Sequence, residues 1–94
     1  MSASKAIQVS ISGRVQGVGF RAWTKSQARK KSLNGWVRNR SDGTVEAVFS
    51  GKAEAVDDML AACHDGPLAS RVKDVSSQPY SGEIAEGFEH LPTE

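Results

Sequence analysis

The residues of this chain that can do chemistry gather in two short segments. The first is Gly13-Arg14-Val15-Gln16-Gly17-Val18-Gly19-Phe20-Arg21, where a β-patterned run passes through a loop with two glycines into a helix-forming stretch. Glycines let consecutive backbone N–H groups turn inward and form a nest for an anion. A helix start adds unpaired N–H groups and a partial positive charge. Arg21, in the first helical turn, brings a guanidinium to the same place. Loop, helix start and arginine together describe a phosphate-sized site. The spacing matches neither the Walker loop, which requires Gly-Lys-Ser/Thr, nor the dinucleotide-binding Gly-x-Gly-x-x-Gly. On spacing alone, a tight strand-to-helix turn with a surface arginine fits the segment equally well. The second segment is Gly35-Trp36-Val37-Arg38-Asn39-Arg40-Ser41-Asp42-Gly43-Thr44-Val45-Glu46. It carries Asn39, a neutral amide that both donates and accepts hydrogen bonds and so can orient water.

Other chemistries find little material. Cys63 is the only cysteine, which excludes an internal disulfide, and with only His64 and His90 beside it there is no zinc ligand set. A reducing compartment suits such a chain. Neither a Ser-His-Asp arrangement nor a catalytic pair of carboxylates is evident. The net charge is +1 over 94 residues, with 38% hydrophobic and 24% charged residues. That describes a soluble single domain with one modest core, and it argues against a general polyanion binder. Met59 to Cys63 is the longest apolar run, far short of a membrane span, and Met1 to Lys5 does not lead into a signal-type stretch. The expectation is a cytoplasmic domain over residues 1–94, ordered from about residue 6 to 91, with Pro92-Thr93-Glu94 frayed.

The elements that must position the two segments follow from periodicity. Ile7, Val9 and Ile11 alternate with polar residues and predict a strand over Ala6 to Arg14. Phe20 to Ser32 lacks Gly and Pro and predicts a helix. Strands over Asn34–Asn39 and Thr44–Ser50 flank Asp42-Gly43, a strong hairpin signal. Val56, Met59, Leu60 and Cys63 mark a second helix, stopped by Gly66-Pro67. Val72 and Val75 are oddly spaced for a strand, so Ser70 to Pro79 reads as twisted or bulged. Phe88 and Leu91 mark a short last strand. The order β-α-β-β-α-β, with a small extra strand, fits a ferredoxin-like split β-α-β sandwich: an antiparallel sheet of four or five strands with both helices on one face.

The two segments, in this order and at this separation, resemble the two signatures of the acylphosphatase family, with Gly51 at the expected closing glycine. The likeness extends to the second helix, Gly66-Pro67 and Ser70-Arg71-Val72, and so covers most of the chain. It departs at the end of the first helix. Family members commonly carry an apolar residue followed by Gly there, and this chain has Lys31-Ser32.

The resemblance implies the ferredoxin-like fold and hydrolysis of an acyl phosphate to a carboxylate and inorganic phosphate, without metal or cofactor. It implies that Arg21 and the backbone N–H groups of Gln16, Gly17, Val18, Gly19, Phe20 and Arg21 bind the phosphoryl group, and that Asn39 positions the attacking water. The implied partners are a small acyl phosphate and phosphate, with neither nucleic acid nor membrane, and the expected state is a monomer. Two other readings stand beside it. A ferredoxin-like RNA-binding module would need aromatic strands, and aromatics are only 6% here. An accessory domain of a larger carbamoyl-transferring protein is the other, against which a chain running from its own Met1 to Glu94 is expected to stand alone. Among the remaining candidates, Arg14 is expected to pair with a surface carboxylate and Trp23 and Trp36 to sit at the core or its edge. Arg29-Lys30-Lys31 reads as a solvated helix face, His90 as an exposed residue near the tail, and Cys63 as a buried inert thiol.

Overall fold

The computed structural model describes residues 3–94; Met1 and Ser2, the start of the expected domain, lie outside the described residues. Strand β1 (Ser4–Arg14) leads to helix α1 (Phe20–Lys30) and the hairpin β2 (Asn34–Asn39) and β3 (Val45–Lys52). Helix α2 (Ala53–Asp65), β4 (Arg71–Pro79) and β5 (Phe88–His90) complete the order. The sheet runs β4-β1-β3-β2-β5. Because β3 lies between β1 and β2 and is antiparallel to both, β1 and β2 point the same way. Their C-terminal ends therefore reach the same edge of the sheet. The expected fold is present with one refinement: β5 joins β2 in parallel, so the sheet is mixed rather than wholly antiparallel.

Alternation on the strands explains the core. Ile7, Val9, Ile11, Val37, Val45, Ala47 and Phe49 face the helices and meet Phe20 and Ala28 of α1 and Val56, Met59 and Cys63 of α2. Burial pushes the Cys63 thiol up to about 12, so it stays protonated and inert. Phe88 stacks on Phe49 with ring centroids 5.6 Å apart. Burying such a ring contributes about 2–3 kcal/mol, enough to hold so short a strand as β5 in place.

Two local irregularities have physical causes. The register between β1 and β4 shifts after Ser12, pairing Ser12 with Asp74 but Gly13 with Val72. The extra residue, Lys73, reverses the alternation, which lets both Val72 and Val75 pack against the core despite their odd spacing. A Cβ at Gly13 would sit 2.2 Å from the Arg71 carbonyl oxygen, so the bulge requires glycine there. At the end of α1, Ser32 takes a positive φ of 57°. Leu33 then donates to Ala28 O at 2.9 Å and Ser32 to Arg29 O at 3.1 Å, the Schellman pattern. A serine here costs about 1 kcal/mol relative to glycine, and it ends the helix at Lys30 rather than at Ser32.

The C-terminal tail is not frayed. Leu91 donates to Val37 O at 2.9 Å and Glu94 to Asn39 O at 3.0 Å, while Ser41 donates to Glu94 O at 2.7 Å. The Glu94 carboxylate also pairs with Arg38. The tail thus continues β5 along β2 and ties down the strand end that carries Asn39. Among the described residues, no helix is long and apolar enough to cross a membrane.

Candidate functional site

The loop after β1 turns sharply because Gly17 and Gly19 adopt positive φ values of 73° and 79°. Side-chain residues rarely adopt such angles. Gly19 occupies the N-cap of α1 in this left-handed conformation and leaves the helix without a side-chain cap or an acidic residue in its first turn. Among the described residues, no protein acceptor takes the N–H groups of Gln16, Gly17, Val18, Gly19, Phe20 or Arg21. These donors and the positive end of the helix dipole are therefore unspent.

A cleft of about 140 Å³ opens there, lined by Val15, Gly17, Gly19, Phe20, Arg21, Ala22, Asn39 and His90. It sits at the sheet edge where β1, β2 and β5 end and α1 begins, so the topology itself assembles it. Asn39 comes from the helix-facing side of β2 and is only 8% exposed. Its Oδ1 is buried without a hydrogen-bond partner. An unsatisfied buried acceptor costs about 1–3 kcal/mol, and this one belongs to a residue that lines a cleft. The arrangement offers N–H donors and a cation for an oxyanion, next to a neutral acceptor suited to water.

The expected residues fall into two groups. Gly17, Gly19, Phe20, Arg21 and Asn39 line one cleft. Phe20 does so only at its edge, because its ring is buried at 1% exposure and meets Trp23 edge-on. Gln16 and Val18 do not line the cleft. The Val18 side chain packs against the core. The Gln16 side chain points to the hairpin, where Nε2 donates to Arg40 O at 2.8 Å and to Thr44 O at 2.9 Å. These carbonyls close the neck of the β2–β3 turn, so Gln16 ties the loop to the strand bearing Asn39.

Other expectations need correction. Arg14 makes no ion pair among the described residues. Trp36 lies on the sheet face away from the helices, half-buried, with the Arg38 guanidinium 4.6 Å from its ring centroid. His90 is exposed but lines the cleft. Burial, then the charges of Arg21 and Lys25, hold it below the ordinary histidine value. Its approach was partly legible: Phe88 is a core residue, and alternation puts His90 on the same side. What sequence could not supply was the pairing of Val37 with His90, which brings the ring beside Asn39.

Known proteins resemble this chain in sequence and in fold. The sequence profile described as acylphosphatase matches residues 7–90. An acylphosphatase of Nitrobacter hamburgensis is 51% identical over 92 residues, covering 92% of this chain and 93% of that protein. The solved acylphosphatase structure from Coxiella burnetii superposes with a TM-score of 0.89 at 32% identity, over 94% of this chain and 93% of that one. The one from Bacillus subtilis gives 0.88 at 36%, over 95% and 99%. With the profile spanning nearly the whole described chain and such relatives matched end to end, this chain belongs to the acylphosphatase family.

Proposed function

We propose that this hydrolase cleaves the carboxyl–phosphate bond of an acyl phosphate, giving a carboxylate and inorganic phosphate, with Arg21 and the Gln16–Arg21 backbone as phosphate cradle and Asn39 as water holder. The observation that carries the reading is the unpartnered Asn39 Oδ1, from a residue lining the same cleft as Arg21 and the unspent loop N–H groups.

Phosphoryl transfer through a loose transition state demands positioning and charge stabilisation more than covalent chemistry. The nest and the Arg21 fork meet the three equatorial oxygens, with the fork gripping two of them. Asn39 Oδ1 accepts a hydrogen bond from water and aligns its oxygen with phosphorus, opposite the acyl oxygen. The new water–phosphorus bond forms as the bond to the acyl oxygen breaks, and the carboxylate leaves with the electron pair. Its conjugate acid has a pKa of about 4, so it departs without a proton and no general acid is needed. Asn39 is not a base, and the water's proton passes to a phosphoryl oxygen. The substrate and product are small molecules; neither nucleic acid nor a membrane surface enters the reaction.

The test is hydrolysis of benzoyl phosphate by the wild type and by Arg21→Ala, assayed side by side. Turnover by the wild type that falls at least about 10²-fold in the variant is expected, as for loss of a transition-state charge donor. Equal turnover by both would remove Arg21 from the site.

A further inference from the structure

The concave surface does not stop at the phosphate cradle. Ala22 and His90 line both the cleft beside Arg21 and a wider open groove of about 510 Å³, whose other walls are Lys25, Ser26, Arg29 and Lys30. Arg21, Lys25 and Arg29 follow one another at four-residue spacing on α1, so a single positive stripe runs from the cradle along the helix. Between Arg21 and Arg29 it extends about 12 Å.

Like charges at this spacing destabilise a helix, and no ion pair among the described residues offsets them. Among the described residues, the cations in ion pairs are Lys5, Arg38 and Arg40, none of them on the stripe. No acidic residue stands in the first turn of α1. Arg29 is held in place by Nη2 donating to Phe88 O at 3.2 Å, which spends a donor but not the charge. Alternation on β5 turns Glu89 away from His90 and toward the face opposite the helices. The groove therefore carries an unneutralised cationic wall that begins where the cradle ends.

We propose that this groove is the acyl-side subsite and that it selects acyl phosphates whose acyl part carries a second anionic group. The proposal rests on the reading of the cradle as an acyl phosphate site. With the phosphoryl group in the cradle, the acyl group leaves along the surface shared by both concavities, between Ala22 and His90. A distal anion then meets Lys25 first, with Arg29 and Lys30 beyond it. An uncharged acyl group would leave these cations in water and gain nothing from them.

Benzoyl phosphate and 4-carboxybenzoyl phosphate differ by one distal carboxylate, and the ratio of their kcat/KM values reads the subsite. The wild type is expected to favour the carboxylated substrate by about fivefold at low salt, the scale of one solvated ion pair. This preference should collapse at about 1 M salt, where the screening length is about 3 Å. The double variant Lys25→Ser/Lys30→Ser should lose it at low salt, and Lys25→Arg should keep it. A wild-type ratio of one, or a preference indifferent to both salt and the double substitution, would overturn the subsite while leaving benzoyl phosphate hydrolysis intact. Failure of the wild type to hydrolyse either substrate would instead overturn the underlying acyl phosphate reading.

Discussion

Asn39 and Glu46 are two buried polar residues on paired strands, 8% and 6% exposed, yet they face opposite sides of one sheet and live under opposite conditions. On the face away from the helices, the Glu46 carboxylate accepts from Gln8, from Arg38 at 2.8 Å and from Arg40 at 3.1 Å. Arg38 in turn pairs with Glu94 and stacks on Trp36. On the helix face, Asn39 Oδ1 has no partner, and Arg21 makes no ion pair among the described residues. Residue type does not separate the two clusters, since each pairs an arginine with an acceptor. Saturation does: a network with its bonds made holds strands together, and one with bonds to spare binds something else. Thr24 Oγ1 also lacks a partner. It is fully buried and does not line the cleft; the structure offers no reason for it. The distinguishing mark is therefore an unpaired group on a residue that lines a cleft.

This contrast is broken most severely at Arg21. Arg21→Ala should cost at least about 10²-fold in kcat/KM on benzoyl phosphate, while urea unfolding shifts by no more than about 0.5 kcal/mol, as at an unpaired surface site. An unfolding shift of several kcal/mol with activity retained would make Arg21 a structural residue like Arg38. Asn39→Ala should lower kcat by about tenfold or more and leave the inhibition constant of phosphate nearly unchanged, as the proposed service to the water rather than the anion requires. If phosphate affinity fell as far as kcat, the amide would belong to the cradle.

Glu46 should behave in the reverse manner. Burial alone would raise its carboxyl, but the hydrogen bonds from Arg38, Gln8 and Arg40 and the charge of Arg38 prevail and hold it below the ordinary value of 4.5. A depressed carboxylate contributes stability above its unfolded pKa and loses it as pH falls through the folded one. Glu46→Gln should thus lower unfolding stability by about 1–2 kcal/mol at pH 7. The gap from wild type should close as the pH is taken below the ordinary 4.5 toward the lowered folded value. Acyl phosphate turnover should stay within about twofold of wild type. A gap that persists in acid would mean that packing, not charge, is what Glu46 supplies.

Much of both the fold and the cleft was legible from local rules. The alternation of Ile7, Val9 and Ile11, the Asp42-Gly43 turn and the stripe Val56, Met59, Cys63 each specify an element by period or backbone preference. The loop glycines and Arg21 declare themselves because a strand, a curled backbone and a helix start are contiguous in sequence. The parallel docking of β5, the tail bonds from Glu94 and the pairing that sets His90 beside Asn39 were not legible. They depend on a pairing between β2 and a three-residue strand held by one buried ring, Phe88, with no periodicity long enough to read. The saturation of Glu46 was hidden for a related reason. Its partners Gln8 and Arg38 stand on two different neighbouring strands, and only the register brings them together.

Gln16 lies between the two regimes, and its substitution should have the smallest effect. In the proposed site its backbone N–H belongs to the cradle, while its side-chain Nε2 spends both bonds on the hairpin neck. Gln16→Ala keeps the N–H and removes the tie between cradle and Asn39. Losing two such hydrogen bonds costs about 1–2 kcal/mol of stability. Loosening a positioned group lowers the rate without removing it from the reaction, so kcat should fall by roughly threefold to tenfold. The phosphate inhibition constant should barely change, since Arg21 and the loop N–H groups remain. Gln16→Glu would place a carboxylate against the Arg40 and Thr44 carbonyls and should do no better than alanine, which separates the need for a donor from the need for bulk. Should phosphate affinity drop while kcat holds, the side chain would instead be shaping the loop itself, and the two halves of the cleft would be positioned independently.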